Sequence, residues 1–145
     1  MSEHHYEHLP AGFGRRFAAI VYDGFLLCAI YFLLGGIAVA INGGSALSNE
    51  ASTALATVVF PVLVFFFLQW FWRKNGQTLG MQVWRIRLHP NGSQLPLTQC
   101  AIRYIAGLAS LICAGIGFFW MLVDGRKRTL YDILSGTCVV QVPKS

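Results

Sequence analysis

Three long apolar runs dominate the chain, and polar stretches of different character separate them. The first, Phe17 to Ile41, is 25 residues long and carries one charge, Asp23. The second, Ala54 to Trp72, has 19 residues, and the third, Tyr104 to Val123, has 20; neither carries a charge. A helix of about 20 apolar residues crosses a hydrocarbon core of about 30 Å, so each run is long enough to span a bilayer. Asn42-Gly43-Gly44-Ser45 ends the first run as a loop. Pro61 lies inside the second and predicts a kink, which a membrane tolerates when neighbouring groups satisfy the freed carbonyl. Gln69, Trp70 and Trp72 mark the water interface at its end.

The stretch 75–98 is polar enough for water. Within it Gln82 to Leu88 alternates, with Val83, Arg85 and Arg87 on one face and Trp84, Ile86 and Leu88 on the other, which predicts a half-buried strand. Pro90-Asn91-Gly92 is a turn signal. Gly136 to Val142 is a second β-prone stretch, expected to pair with the first. The expected fold is therefore an all-α membrane bundle of three hydrophobic helical segments, at about 17–41, 54–72 and 104–123, with a short hairpin-like strand pair on the cytoplasmic side. It is organised as a polar tail over 1–14, one membrane domain over 15–142 and a C-terminal tail over 143–145.

Charge placement orients the runs. Arg15 and Arg16 precede the first, none lies between first and second, and Arg73, Lys74, Arg85, Arg87 and Arg103 lie between second and third. Lys and Arg accumulate on the cytoplasmic side, so the amino terminus and the 73–103 stretch are expected there and 42–53 outside. The third run poses a conflict. As a simple span it places Arg126, Lys127 and Arg128 outside and separates the two strands. A hairpin turning near Gly115-Ile116-Gly117 removes both objections, provided its turn is buried in protein or water. Its returning limb, Phe118 to Val123, is too short to recross the core, so it would re-enter rather than span. Length favours the span; charge and strand pairing favour the hairpin and a cytoplasmic tail.

Composition sharpens this picture. The chain has 145 residues, 55% hydrophobic and 12% charged, with a net charge of +5. The cations flank the apolar runs instead of forming one basic face, so nucleic acid is not an expected partner. Cys28, Cys100, Cys113 and Cys138 show no C-x-x-C spacing, so neither a disulfide framework nor a zinc site is expected. The first apolar run is too long for a cleavable signal core, and no signal peptide is expected. His4, His5 and His8 could share a helix face, but they are read as part of a polar tail, not as a metal site. No Gly-rich phosphate loop, Ser-His-Asp order or H-E-x-x-H occurs, so no enzyme activity and no cofactor are expected.

Asp23 is the most informative residue. A carboxylate inside a span needs a partner or water and should face the interior of the bundle. Arg16 precedes it by seven residues, two helical turns or about 10 Å along the same face, too far for an easy direct bridge. Both are expected to join a cluster with groups from elsewhere, Arg103 or Asp132. The competing reading is that Arg16 snorkels as an anchor and Asp23 only locks helix packing. Asp132, on a short helix expected at 129–135, could instead cap that helix or pair with Arg126 or Arg128. Asp124 is read as ending the third run.

At these residues the chain resembles the RDD family of membrane proteins, named for one Arg and two Asp. Gly14-Arg15-Arg16-Phe17-Ala18-Ala19-Ile20-Val21-Tyr22-Asp23 looks like the family's opening, with its Arg on Arg16 and its first Asp on Asp23. Asn75-Gly76-Gln77-Thr78-Leu79-Gly80-Met81 resembles a G-Q-T-x-G-K stretch, Met81 standing where a basic residue is usual. Arg128-Thr129-Leu130-Tyr131-Asp132-Ile133-Leu134-Ser135-Gly136-Thr137 resembles the closing motif, with the second Asp on Asp132 and Tyr131 where His is common. The resemblance implies a multi-pass protein of the bacterial inner membrane, with transport of unidentified ligands or cation/proton antiport as candidate roles.

Two functions are thus expected to compete. One is a transporter component in which Asp23, with Arg16 and Asp132, binds a cation or proton; three runs are few for a pathway, so a homo-oligomer or a membrane partner protein is implied. The other is a non-transporting accessory protein whose strand pair and basic surface dock a partner or anionic lipid.

Overall fold

The computed structural model describes residues 9–90, 95–113 and 115–142. The turn signal at 90–92 falls largely outside these residues, as does the histidine tail. Helix α1 runs over Phe13–Ile41, roughly 43 Å at 1.5 Å per residue. It stops at Asn42, whose side-chain amide donates to the carbonyls of Ser45 and Ala46, while Gly43 and Gly44 take the left-handed backbone that reverses the chain.

The second run is longer than its apolar stretch. Ser48 caps helix α2 (Asn49–Ala54) by accepting from the Ala51 N–H. A π turn over Leu55–Val59 leads into α3 (Phe60–Lys74), and the whole forms a 26-residue helix over Asn49–Lys74. Pro61 has no N–H to give, and the widened turn just before it absorbs the missing bond. The Tyr104 hydroxyl donates to the Pro61 carbonyl at 2.7 Å.

Helix α4 (Leu79–Val83) and strand β1 (Ile86–Pro90) occupy the stretch expected to be one strand from Gln82. The alternation holds only from Ile86 onward. Thr78 caps the preceding turn and Asp23 takes the Gly80 N–H, so residues 79–83 coil instead. Strand β2 (Thr137–Gln141) pairs antiparallel with β1, Leu88 opposite Val139 and Ile86 opposite Gln141, as expected. Its other edge is also used. Ala11 N–H donates to the Val139 carbonyl and Gln141 N–H to Leu9, so residues 9–14, expected to be tail, belong to the fold.

The third run is not one straight span. Helix α5 (Leu97–Ile112) begins seven residues earlier than its apolar stretch, directly after Pro96. Gly115, at φ 77°, reverses the chain, and the following helix α6 (Ile116–Phe119) with its 3-10 turn (Trp120–Leu122) lies at 107° to α5. Gly117 packs so closely on Ser110 that a side chain there would collide with it. The rings of Phe118 and Phe119 come within 5.1 and 5.8 Å of Phe13, at the start of α1. The run is therefore bent at Gly115, and helix α7 (Leu130–Ser135) carries the chain back into β2. A straight span would pull β2 away from β1, so the bend at Gly115 goes with the strand pairing.

The main core sits at the end where the strands pair. Ala11, Ala19, Trp72, Ile86, Leu88, Leu95, Cys100 and Val139 form one core. The two long helices stay exposed along their apolar windows.

Candidate functional site

Asp132 lies at the centre of the buried end. Helix α7 positions it through a capping box: the Thr129 hydroxyl accepts from the Asp132 N–H, and the Asp132 carboxylate accepts from the Thr129 N–H. The carboxylate then faces inward and is fully buried. Its Oδ2 accepts from Arg16 Nη1 on α1 and its Oδ1 from Arg103 Nη1 on α5, so one carboxylate ties together two helices far apart in the sequence. Burial works to raise its pKa, but the Arg103 and Arg16 guanidiniums outweigh that and hold the carboxyl below its ordinary value.

The two arginines are themselves consumed. Arg16, 4% exposed, donates to the carbonyls of Ala11, Lys127 and Val139 at 3.2, 3.0 and 3.3 Å. Arg103, 5% exposed, also donates to Thr137 Oγ1 at 3.0 Å, and its guanidinium stacks between the rings of Trp72 and Tyr131, 5.4 and 5.0 Å from their centres. Arg103 Nε has no partner in this packing. Thr137 Oγ1 and Ser135 Oγ lie 2.7 Å apart, and Gly136 takes the left-handed conformation that ends α7 between them. The cluster holds two cations and one anion.

Asp23 does not join it. Its carboxylate accepts from the Thr78 hydroxyl and, at 2.8 Å, from the Gly80 N–H. It thus holds the N-terminus of α4, where free N–H groups favour an anion. The G-Q-T-x-G stretch supplies everything this contact needs. Gly76, at φ 67°, brings its carbonyl to the Leu88 N–H at 2.7 Å, and Gln77 donates to the Ile86 carbonyl at 2.8 Å. Thr78 caps α4, and Gly80 packs on Ala19 with no room for a Cβ. The single cluster expected from Arg16, Asp23, Asp132 and Arg103 is therefore two sites. Arg16 points back to the cap, whereas Asp23 lies two helical turns further into α1 and meets α4 there.

Asp132 pairs with neither Arg126 nor Arg128; Arg128 instead bonds Asp124, four residues before it. Sequence reasoning missed Thr129, Trp72 and Tyr131. Thr129 was legible, since Thr-x-x-Asp is a capping-box pattern. The stacking rings and the carbonyls of Ala11, Lys127 and Val139 carry no sequence signal. Among the described residues no group of three His, Cys, Asp or Glu side chains could hold a metal ion.

No curated protein and no solved structure matches the chain. The family model of the RDD family matches residues 10–136, a span that begins at the edge of β2 and takes in Arg16, Asp23, the G-Q-T-x-G turn, Arg103 and Asp132. By that match over most of its length, and with two helices apolar and long enough to cross a bilayer, this chain is a membrane protein that belongs to the RDD family.

Proposed function

We propose that the protein is a non-transporting scaffold of the bacterial inner membrane, anchored by α1 and the α2–α3 helix and presenting a rigid cap at the cytoplasmic face. The observation that carries this reading is the commitment of the carboxylates. Both Asp132 oxygens are held by arginines and both Asp23 oxygens by α4, so each acid acts as a structural latch. A transported cation would have to displace these donors. The cytoplasmic placement rests on the cations gathered at the cap end, against Glu50 alone on the loop side. The outward apolar faces of the two helices suit lipid, a second copy or another membrane chain. No catalytic role and no nucleic-acid partner belong to this reading.

Reconstituted vesicles test it. With a pH gradient and Na⁺ or K⁺ as the probe, the protein should give no flux above protein-free vesicles, and Asp23→Asn should lower folded yield. The competing reading, a transporter component, draws on the position of Asp23 in a membrane helix with part of its surface accessible. Cation-coupled flux that disappears in an Asp23→Asn protein of normal yield would overturn the scaffold reading.

A further inference from the structure

Helix α3 is gripped on one side and left unpacked on another. The Tyr104 hydroxyl donates to the Pro61 carbonyl at 2.7 Å, and the Tyr104 ring lies 5.3 Å from that of Phe65, so α5 holds α3 through Pro61 and Phe65. Phe60, Leu63 and Phe67 form a different row of α3, at three- then four-residue spacing, and Leu27, Ile30 and Leu34 form a row of α1 at the same spacing. The two rows line opposite sides of a half-open crevice of about 260 Å³, with apolar side chains alone. The helices touch beside it, where the rings of Tyr31 and Phe60 lie 5.0 Å apart. Although these six side chains face one another, none is buried. Membrane helices that pack closely carry small residues at their contact. Here both rows are large, and Gly24, Gly35 and Gly36 of α1 have nothing within 4 Å of where a Cβ would sit.

Depth and size indicate what fills the space. Leu34 lies seven residues before the end of α1 at Ile41, and Phe67 seven before the end of α3 at Lys74, roughly 10 Å of helix in each case. The crevice therefore sits in the middle of a hydrocarbon core of about 30 Å, where lipid tails are the surrounding solvent. Water would find no polar partner in it. A helix of a second copy is too large, since over the roughly 10 Å from Leu27 to Leu34 it takes up about 800 Å³. The seven side chains that line the crevice also fall well short of a stable interface, in which each partner buries about 800 Å². By contrast, an apolar cavity of about 150 Å³ holds a six-carbon ring, so this one suits roughly ten carbons of a chain. Left empty, it would forfeit dispersion contacts along both helices.

We propose that the crevice between α1 and α3 binds one acyl chain of a bilayer lipid as a resident wedge between the two membrane helices. The tail makes the contacts that the two rows of large side chains do not make with each other. Recognition is of the hydrocarbon and not of the headgroup, because no polar side chain lines the site. The site does not depend on the scaffold reading, since a transporter component would hold the same wedge.

The test uses the full chain extracted in mild detergent, with retained lipid counted by native mass spectrometry. The wild type should carry a single lipid per chain and accept phosphatidylcholine and phosphatidylglycerol without preference. Val64→Trp fills the crevice and should retain roughly tenfold less lipid, the penalty of overpacking an occupied site. Leu63→Phe should act in the same direction, and Phe32→Trp, on the outward face of α1, should retain lipid as the wild type does. Stripping lipid should lower the wild-type Tm, and either lipid should restore it. With no substitution at all, phosphatidylcholine carrying a diazirine at mid-chain should label Ile30, Leu34 and Val64 ahead of the outward Phe25 and Phe66. A wild type without retained lipid, equal retention in both filled variants, a strong headgroup preference or even labelling of inward and outward residues would each overturn the site. A wild-type dimer that Val64→Trp dissociates would also overturn it and assign the crevice to a second copy. Cation flux in vesicles from a protein that keeps its lipid would remove the scaffold reading and leave the acyl site standing.

Discussion

The cap and the two membrane helices are built from the same kinds of residue under opposite rules. In the cap, Ile86, Leu88 and Val139 are almost wholly buried, and the buried arginines and Asp132 pair with one another. Along α1 and α3, residues as large as Phe25, Phe32, Phe66 and Ile41 face outward. In water such exposure would mark an interaction patch, but beside acyl chains it costs little, because lipid is as apolar as the side chain. The helices meet loosely, through Tyr31 on Phe60 at 5.0 Å and around a crevice of about 260 Å³ lined by Leu27, Ile30, Leu34, Leu63 and Phe67. The comparison teaches that apolar length places this chain in the bilayer, while polar pairing at one end gives it a unique shape.

The contrast can be broken most sharply at its centre. Asp132→Ala strands two buried guanidiniums and should cost about 3–5 kcal/mol, seen as loss of the folded, monodisperse protein in detergent. Acid should act through the same group. Its folded pKa lies below the ordinary 3.8, so its stabilisation is complete above that value and is lost as pH falls through the lower folded value. Tryptophan fluorescence should report the cap opening there while far-UV circular dichroism still shows the long helices. Next in size, Gly80→Ala forces α4 off the Ala19 backbone and should cost about 1–3 kcal/mol in thermal melts. Thr78→Val removes a helix cap and a bond to Asp23, for about 1–2 kcal/mol by the same measurement. Smallest of all, Phe32→Leu on the outward face of α1 should shift stability by less than about 0.5 kcal/mol; a loss as large as that of Gly80→Ala would show that this face is packed against another chain.

Much of the fold was legible. The lengths of the apolar runs located α1 and α3, charge placement pointed to the hairpin, and the alternation at Ile86 and Leu88 gave the strand pair. The departures have local causes. Helix α4 and the turn after it replaced the start of the expected strand because Thr78 and Asp23 satisfy the helix N-terminus, and residues 9–11 joined β2 because its outer edge had backbone groups to satisfy. The site was half legible. Its charged members Arg16, Asp23, Arg103 and Asp132 were named, but Asp23 was grouped with Arg16 because helical spacing along α1 says only that the two share a face.

By itself the sequence determined which segments prefer lipid, which end collects the cations and which carboxylates must find partners, since each follows from the solvation of single residues or short runs. Only the tertiary structure decided the partners. Asp132 meets Arg16 across 116 residues, and Asp23 meets Thr78 across 55. Such contacts depend on the turn at Gly115 and the register of two strands, and no local preference encodes where chain segments so far apart will meet.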